Sequence, residues 1–156
     1  MASNMIVVGV DGSEGGRRAL RWAVAEAHRT EAAVKAVTAW SWDSVTDVSP
    51  IRTNRAWPRE RAEAISAREV AAVVAEVGSA VPITREVMEG PEDRVLTDAA
   101  QGARMLVLGS HGYGHFHHAM SDSVGAGCIR RSTCPVVVVP APPMPARLLA
   151  EALAAG

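Results

Sequence analysis

The sequence predicts a doubly wound α/β fold, a five-stranded parallel sheet with helices on both faces. Three observations carry the prediction. Short apolar runs alternate with helical patterns in the order βαβαβαβαβ. Three of the runs, "MIVVGV", "MLVLG" and "PVVVV", are apolar throughout, as strands are when both faces of the sheet are covered. The 156 residues, 48% of them hydrophobic, suit one domain with a substantial core.

Each element has a local reason. Residues 5–10, "MIVVGV", are strand 1 and end at Asp11-Gly12-Ser13. Residues 14–30 are helix 1. Leu20, Val24 and Ala27 fall on one stripe, Ala19 and Ala23 lie beside it, and Ser13 is the expected N-cap. Residues 33–39, "AVKAVTA", are strand 2. Residues 40–58 show no clean period and read as a long loop containing Trp40, Trp42 and Trp57. Residues 59–78 are helix 2, with Ala62, Ile65, Glu69, Val70, Val73 and Val77 spaced by three or four. Residues 81–88, "VPITREVM", are a more polar strand 3, as expected near a sheet edge. Gly90-Pro91 opens helix 3, about 91–102. Strand 4 is 105–109, a short helix covers about 122–131, and strand 5 is 135–140 between prolines. The expected domain spans 1–140. The tail, 141–156, reads as an appendage ending in a short helix, 144–155.

Composition excludes several classes. A formal net charge of −1 argues against a dedicated nucleic-acid binder. Cys128 and Cys134 are too few for a disulfide framework and read as small apolar residues in a reducing compartment. The N-terminus has no charged leader, and no run reaches the ~18 apolar residues of a membrane span. The expectation is a cytoplasmic protein without membrane or nucleic-acid partners.

In doubly wound sheets, ligands bind beyond the carboxyl ends of the strands, where the winding reverses. In a 3-2-1-4-5 order the reversal lies between strands 1 and 4, which sets "DGS" (11–13) beside "GSHG" (109–112). The pattern alone leaves that order open. Val10-Asp11-Gly12-Ser13 is a turn whose carboxylate suits either a ribose hydroxyl or capping. In "GSHGYGHFHHAMSDSVG" (109–125), Gly109, Gly112 and Gly114 allow positive φ and close approach to a ligand. The loop feeds a helix N-terminus near Ser121-Asp122-Ser123, a geometry suited to phosphate. Neither a dinucleotide fingerprint nor a P-loop is present. His111, His115, His117 and His118 are metal-ligand types, but only His111/His115 have i, i+4 spacing, and that pair is in a loop. A solvated loop is expected rather than a metal centre. No catalytic nucleophile is visible.

"IVVGVDGSEGGRRALRWA", "EGPEDRVLTDAA" and "VLGSHGYGHF…DSVGAGCIRRSTCPVVVVP" resemble the universal stress protein family over residues 5–140. The resemblance implies a Rossmann-like, adenine nucleotide alpha hydrolase-like sheet of order 3-2-1-4-5, a homodimer through strand 136–139, and a regulatory role in stress response. One branch of the family binds ATP or AMP through G-x-x-G, nine residues, then G-[ST]. Here the motif reads Gly109-x-x-Gly112, nine residues, then Asp122-Ser123, so one glycine of three is replaced. Carried over by position, Val10 and Asp11 match the adenosine-side strand end and Val37 the adenine contact. Leu108, Gly109, His111 and Gly112 match the phosphate loop, and Asp122, Ser123 and Val124 the start of the phosphate-facing helix. The implied cofactor is ATP or AMP, with or without Mg²⁺. A carboxylate ~4 Å from a phosphate costs about 1 kcal/mol in water and about 4 kcal/mol at an intermediate dielectric. Asp122 therefore bears directly on affinity, unless a divalent cation lies between the charges. Two alternatives stand beside nucleotide binding with little turnover. One is a dimer that binds no nucleotide and acts on an unknown protein partner. The other is a slow ATPase or metal-dependent hydrolase.

Overall fold

The computed structural model describes residues 3–41, 58–78, 80–110, 122–143 and 145–155. Five parallel strands form one sheet in the order β3-β2-β1-β4-β5. The strands are β1 (Met5–Gly9), β2 (Ala33–Trp40), β3 (Ile83–Glu89), β4 (Met105–Gly109) and β5 (Val136–Val139). The helices are α1 (Glu14–Thr30), α2 (Pro58–Val77), α3 (Glu92–Ala99), α4 (Asp122–Arg131) and α5 (Ala146–Ala154). The winding reverses between β1 and β4, which pair directly, Val7 beside Leu106 and Val8 beside Val107. Most of the expected long loop, residues 42–57, lies outside the described residues.

Alternation along the strands builds a core on each face. Ile6, Val8, Val10, Val34, Ala36 and Val107 point one way and meet Ala19, Leu20, Ala23, Val24 and Ala27 of α1 with Val73 of α2. Val7, Val37, Leu106 and Leu108 point the other way, against Val95 and Leu96 of α3 and Cys128 of α4. All five α1 positions on the predicted stripe are buried. Burying a side chain such as Leu20 stabilises the fold by about 1.5–3 kcal/mol. Both cysteines are free, Cys128 buried and Cys134 half-buried. Burial pushes the Cys128 thiol up to about 11, so it packs as an apolar group.

Two helix predictions need correction. Glu69 does not belong to an apolar stripe: it is fully buried as a charge, and Val77 is half exposed. Arg17 grips Glu69 with two hydrogen bonds, Nε at 2.8 Å and a terminal nitrogen at 3.0 Å, and Arg68 Nε adds a third at 3.2 Å. This ion pair, buried at Glu69 and partly exposed at Arg17, joins α1 to α2. Helix α3 ends at Ala99 rather than about 102. Ala103 N–H donates to Ala100 O, and Gly102 turns the chain out at φ +72°.

Candidate functional site

The sheet order brings the two predicted loops together at the carboxyl ends of β1 and β4. Val10, just past β1, is buried and its N–H donates to Val37 O at 2.9 Å. The chain then turns through Asp11-Gly12-Ser13. Asp11 Oδ1 accepts from Ser13 N–H at 2.9 Å and from Ser13 Oγ at 2.5 Å. Ser13 Oγ accepts in turn from Gly16 N–H at 3.0 Å, the N-cap bond expected of α1. Gly12 has φ +83°, and Ile65 and Arg68 of α2 crowd the place where a Cβ would go. The other oxygen, Asp11 Oδ2, is buried and has no hydrogen-bond partner among the described residues. A buried carboxylate oxygen without a donor is costly to the fold.

The strand β4 meets α1 in backbone contact. A Cβ on Gly109 would collide with the Gly15 carbonyl, and one on Gly15 would lie 2.7 Å from Ser110 O. Gly109 does not have the positive φ expected of it; glycine is needed there so that helix and strand can touch. Ser110 is then fixed from three sides. Its N–H donates to Val139 O at 2.9 Å, its Oγ accepts from Ala141 N–H at 2.9 Å, and its carbonyl accepts from Arg18 at 3.0 Å.

Val37 and Leu108 are fully buried beneath the site, on the α3/α4 face. His111 and Gly112 lie outside the described residues, as do His115, His117 and His118. Asp122 and Ser123 are the first two residues of α4, and Val124 packs into the core below them. Among the described residues no group of three His, Cys, Asp or Glu side chains is arranged to hold a metal.

Sequence reasoning missed one polar group at this end of the sheet. Glu92 opens α3 and is half-buried. Loss of water, then the charges of Asp11 and Asp93, push its carboxyl above the usual range. Asp93, next along, is paired with Arg131 at 3.1 Å. "GPEDR" carries the signal of a helix start, and nothing in it tells which acid will be left without a cation.

The family model "Universal stress protein family" matches residues 4–140. The chain belongs to the universal stress protein family. A universal stress protein of Mycobacterium tuberculosis is 31% identical, over 91% of this chain and 50% of the relative. The chain spans about half the length of the curated relatives it matches. Among solved structures, a universal stress protein in complex with cAMP is 25% identical with a TM-score of 0.64, covering 89% of this chain and 98% of that one. The universal stress protein from Archaeoglobus fulgidus in complex with dAMP shares the fold at a TM-score of 0.60 and 21% identity, covering 88% and 98%. The universal stress protein sheet order is the one observed here, with the switch point between β1 and β4.

Proposed function

We propose that this chain binds an adenine nucleotide, ATP or AMP, at the carboxyl ends of β1 and β4, and acts as a regulatory module of stress response with little or no turnover. One observation carries the reading. The orphaned Asp11 Oδ2 stands at the switch point of the sheet, beside the Gly109–Ser110 exit and on the same side as the start of α4. The cAMP-bound relative supports the same ligand class. In this reading Val10, Asp11 and Val37 take the nucleoside. Leu108, Gly109, His111 and Gly112 form the phosphate loop, and the N-terminus of α4 at Asp122, Ser123 and Val124 faces the phosphate. A divalent cation such as Mg²⁺ between them would offset the Asp122 charge toward a bound polyphosphate.

The chain works in this reading as a cytoplasmic homodimer paired through strand 136–139. Strand β5 is a sheet edge, and Val138 remains 46% exposed, an apolar edge that a second copy would cover. No helix among the described residues is long and apolar enough to cross a membrane.

Calorimetry on nucleotide-free protein tests the reading with ATP and Mg²⁺, then with AMP. Saturable heat at micromolar ligand is expected, and no heat at high micromolar concentration would overturn it. A specific feature favours a second reading, a dimer that binds no nucleotide: Asp122 begins α4 where the nucleotide-binding motif has glycine. The variant Asp122→Gly separates the two. A gain of about tenfold or more in ATP affinity means that the carboxylate was blocking the site, since about 1.4 kcal/mol is tenfold. Unchanged or weaker binding removes that explanation.

A further inference from the structure

Glycine inside a helix calls for a reason, because its backbone freedom makes the helical state less favourable than alanine does. Four glycines stand inside the described helices, Gly15 and Gly16 of α1 and Gly125 and Gly127 of α4. Packing explains three of them. A Cβ would lie 2.7 Å from Ser110 O at Gly15, 2.8 Å from Asp11 Oδ1 at Gly16 and 2.7 Å from Asp93 Oδ2 at Gly127. At Gly125 a Cβ would meet no described atom within 4 Å, and the backbone is not left-handed. Neither packing nor dihedral angle asks for glycine there.

Helix α4 is also held unevenly. Its C-terminal half is anchored. Cys128 is fully buried, Gly127 lies against Asp93, and Arg131 pairs with Asp93 at 3.1 Å. Ser132 N–H donates to Cys128 O at 2.8 Å and closes that end. In the other half, Val124 is half-buried against the core, and Gly125 follows it. A helix of ten residues depends on its neighbours for stability. Gly125 weakens α4 between the anchored half and the first turn, the turn that faces the phosphate in the nucleotide reading above. The first N–H groups of a helix have no partner within it, so an anion at that end stabilises the turn that glycine weakens.

We propose that the first turn of α4 is frayed in the nucleotide-free protein and is ordered by the bound nucleotide, with Gly125 as the positioning residue that sets the cost. The proposal rests on the nucleotide reading. A competent state that is only partly populated lowers the apparent affinity by its fraction, so a residue that touches no ligand governs binding.

Hydrogen exchange with and without AMP, and calorimetry with AMP, test this on wild type, Gly125→Ala and Gly127→Ala. Thermal melts establish that the variants fold. The amides of Ala126 and Gly127 have the carbonyls of Asp122 and Ser123 as their helical acceptors, so they report on the first turn. In nucleotide-free wild type they should exchange faster than those of Arg130 and Arg131, and AMP should slow them. Gly125→Ala should slow them without AMP and tighten AMP by about three- to fivefold, the scale of the glycine–alanine difference in a helix. Gly127→Ala is the same chemical change two residues on. It has to push Asp93 away from Arg131, and it should weaken AMP instead. If the Ala126 and Gly127 amides exchange as slowly without AMP as those of Arg130 and Arg131, or if Gly125→Ala leaves AMP affinity unchanged or weaker, the proposal is overturned and nucleotide binding stands. No binding of nucleotide by wild type would overturn both.

Discussion

Glu69 and Glu92 lie on opposite faces of the sheet, and the local structure treats them in opposite ways. Glu69 is fully buried between α1 and α2, yet Arg17 and Arg68 satisfy it and hold its carboxyl below the usual range. Glu92 is only half-buried at the start of α3, yet no cation among the described residues meets it, and its carboxyl lies above the usual range. Loss of water raises both carboxyls, and only for Glu69 do arginines more than offset it. The α1–α2 side is built for stability. The end of the sheet near Asp11 and α3 holds carboxylates that no cation meets among the described residues.

The hardest way to break this division is at the seam between the two regions, where Gly109 of β4 touches Gly15 of α1. Gly109→Val places a branched side chain against main chain that cannot swing aside. The expected loss is about 3 kcal/mol or more, the upper range for overpacking. Urea denaturation measures it. A loss under about 1 kcal/mol would mean that helix and strand separate easily at this contact.

Arg17→Ala comes next. It leaves Glu69 buried with only Arg68, whose side chain is largely exposed. The expected loss at neutral pH is about 3 kcal/mol, the low end for breaking a buried pair. Because Arg17 depresses the folded-state pKa of Glu69, the stability it contributes is complete above the ordinary glutamate value of 4.5 and fades as pH falls through the lower folded value. The gap between wild type and Arg17→Ala should therefore narrow in acid. A gap that stays constant with pH would assign the loss to packing of the Arg17 stem instead.

The contrast also marks what the sequence could disclose. The α1 stripe and the apolar strands were legible, because periodicity is a local property written in neighbouring residues. The α1 cap was legible too: Ser13 stands just before the periodic stretch, and its hydroxyl accepts from Gly16 N–H. The Arg17–Glu69 pair spans 52 positions, so no local pattern contained it, and helical spacing placed Glu69 among apolar residues. Gly109 was recognised as special, but it lacks the expected positive φ and its contact with Gly15 of α1 was not foreseen. A glycine that admits a helix backbone and one that admits a phosphate read alike in sequence. Which carboxylates would be orphaned depends on where α3 and β1 end relative to each other, a matter of assembled geometry.

Ser13→Ala sharpens the comparison at smaller scale. Its hydroxyl caps α1 and also occupies Asp11 Oδ1. Loss of the cap should cost about 1 kcal/mol, read as a lower denaturation midpoint with an unchanged m-value. In the same variant Asp11 loses one of its two donors, so nucleotide affinity should change together with stability. A stability loss with affinity untouched would separate the turn from the site.

Glu92→Gln carries the smallest effect, and its sign is the opposite of the others. Burial and the nearby acids raise the folded-state pKa of Glu92 above its unfolded value. Its contribution to stability is therefore greatest below the unfolded value and is lost as pH rises through the folded one. At neutral pH the ionised side chain is a cost to the folded protein, and a neutral amide of the same shape removes it. Glu92→Gln should be slightly more stable than wild type at pH 7, with the difference vanishing below about pH 4, where unperturbed glutamates are protonated. Thermal melts of both proteins across that range, without nucleotide, check the trend. A variant destabilised at pH 7 would mean that Glu92 has a structural partner after all, and its difference from Glu69 would be one of degree only.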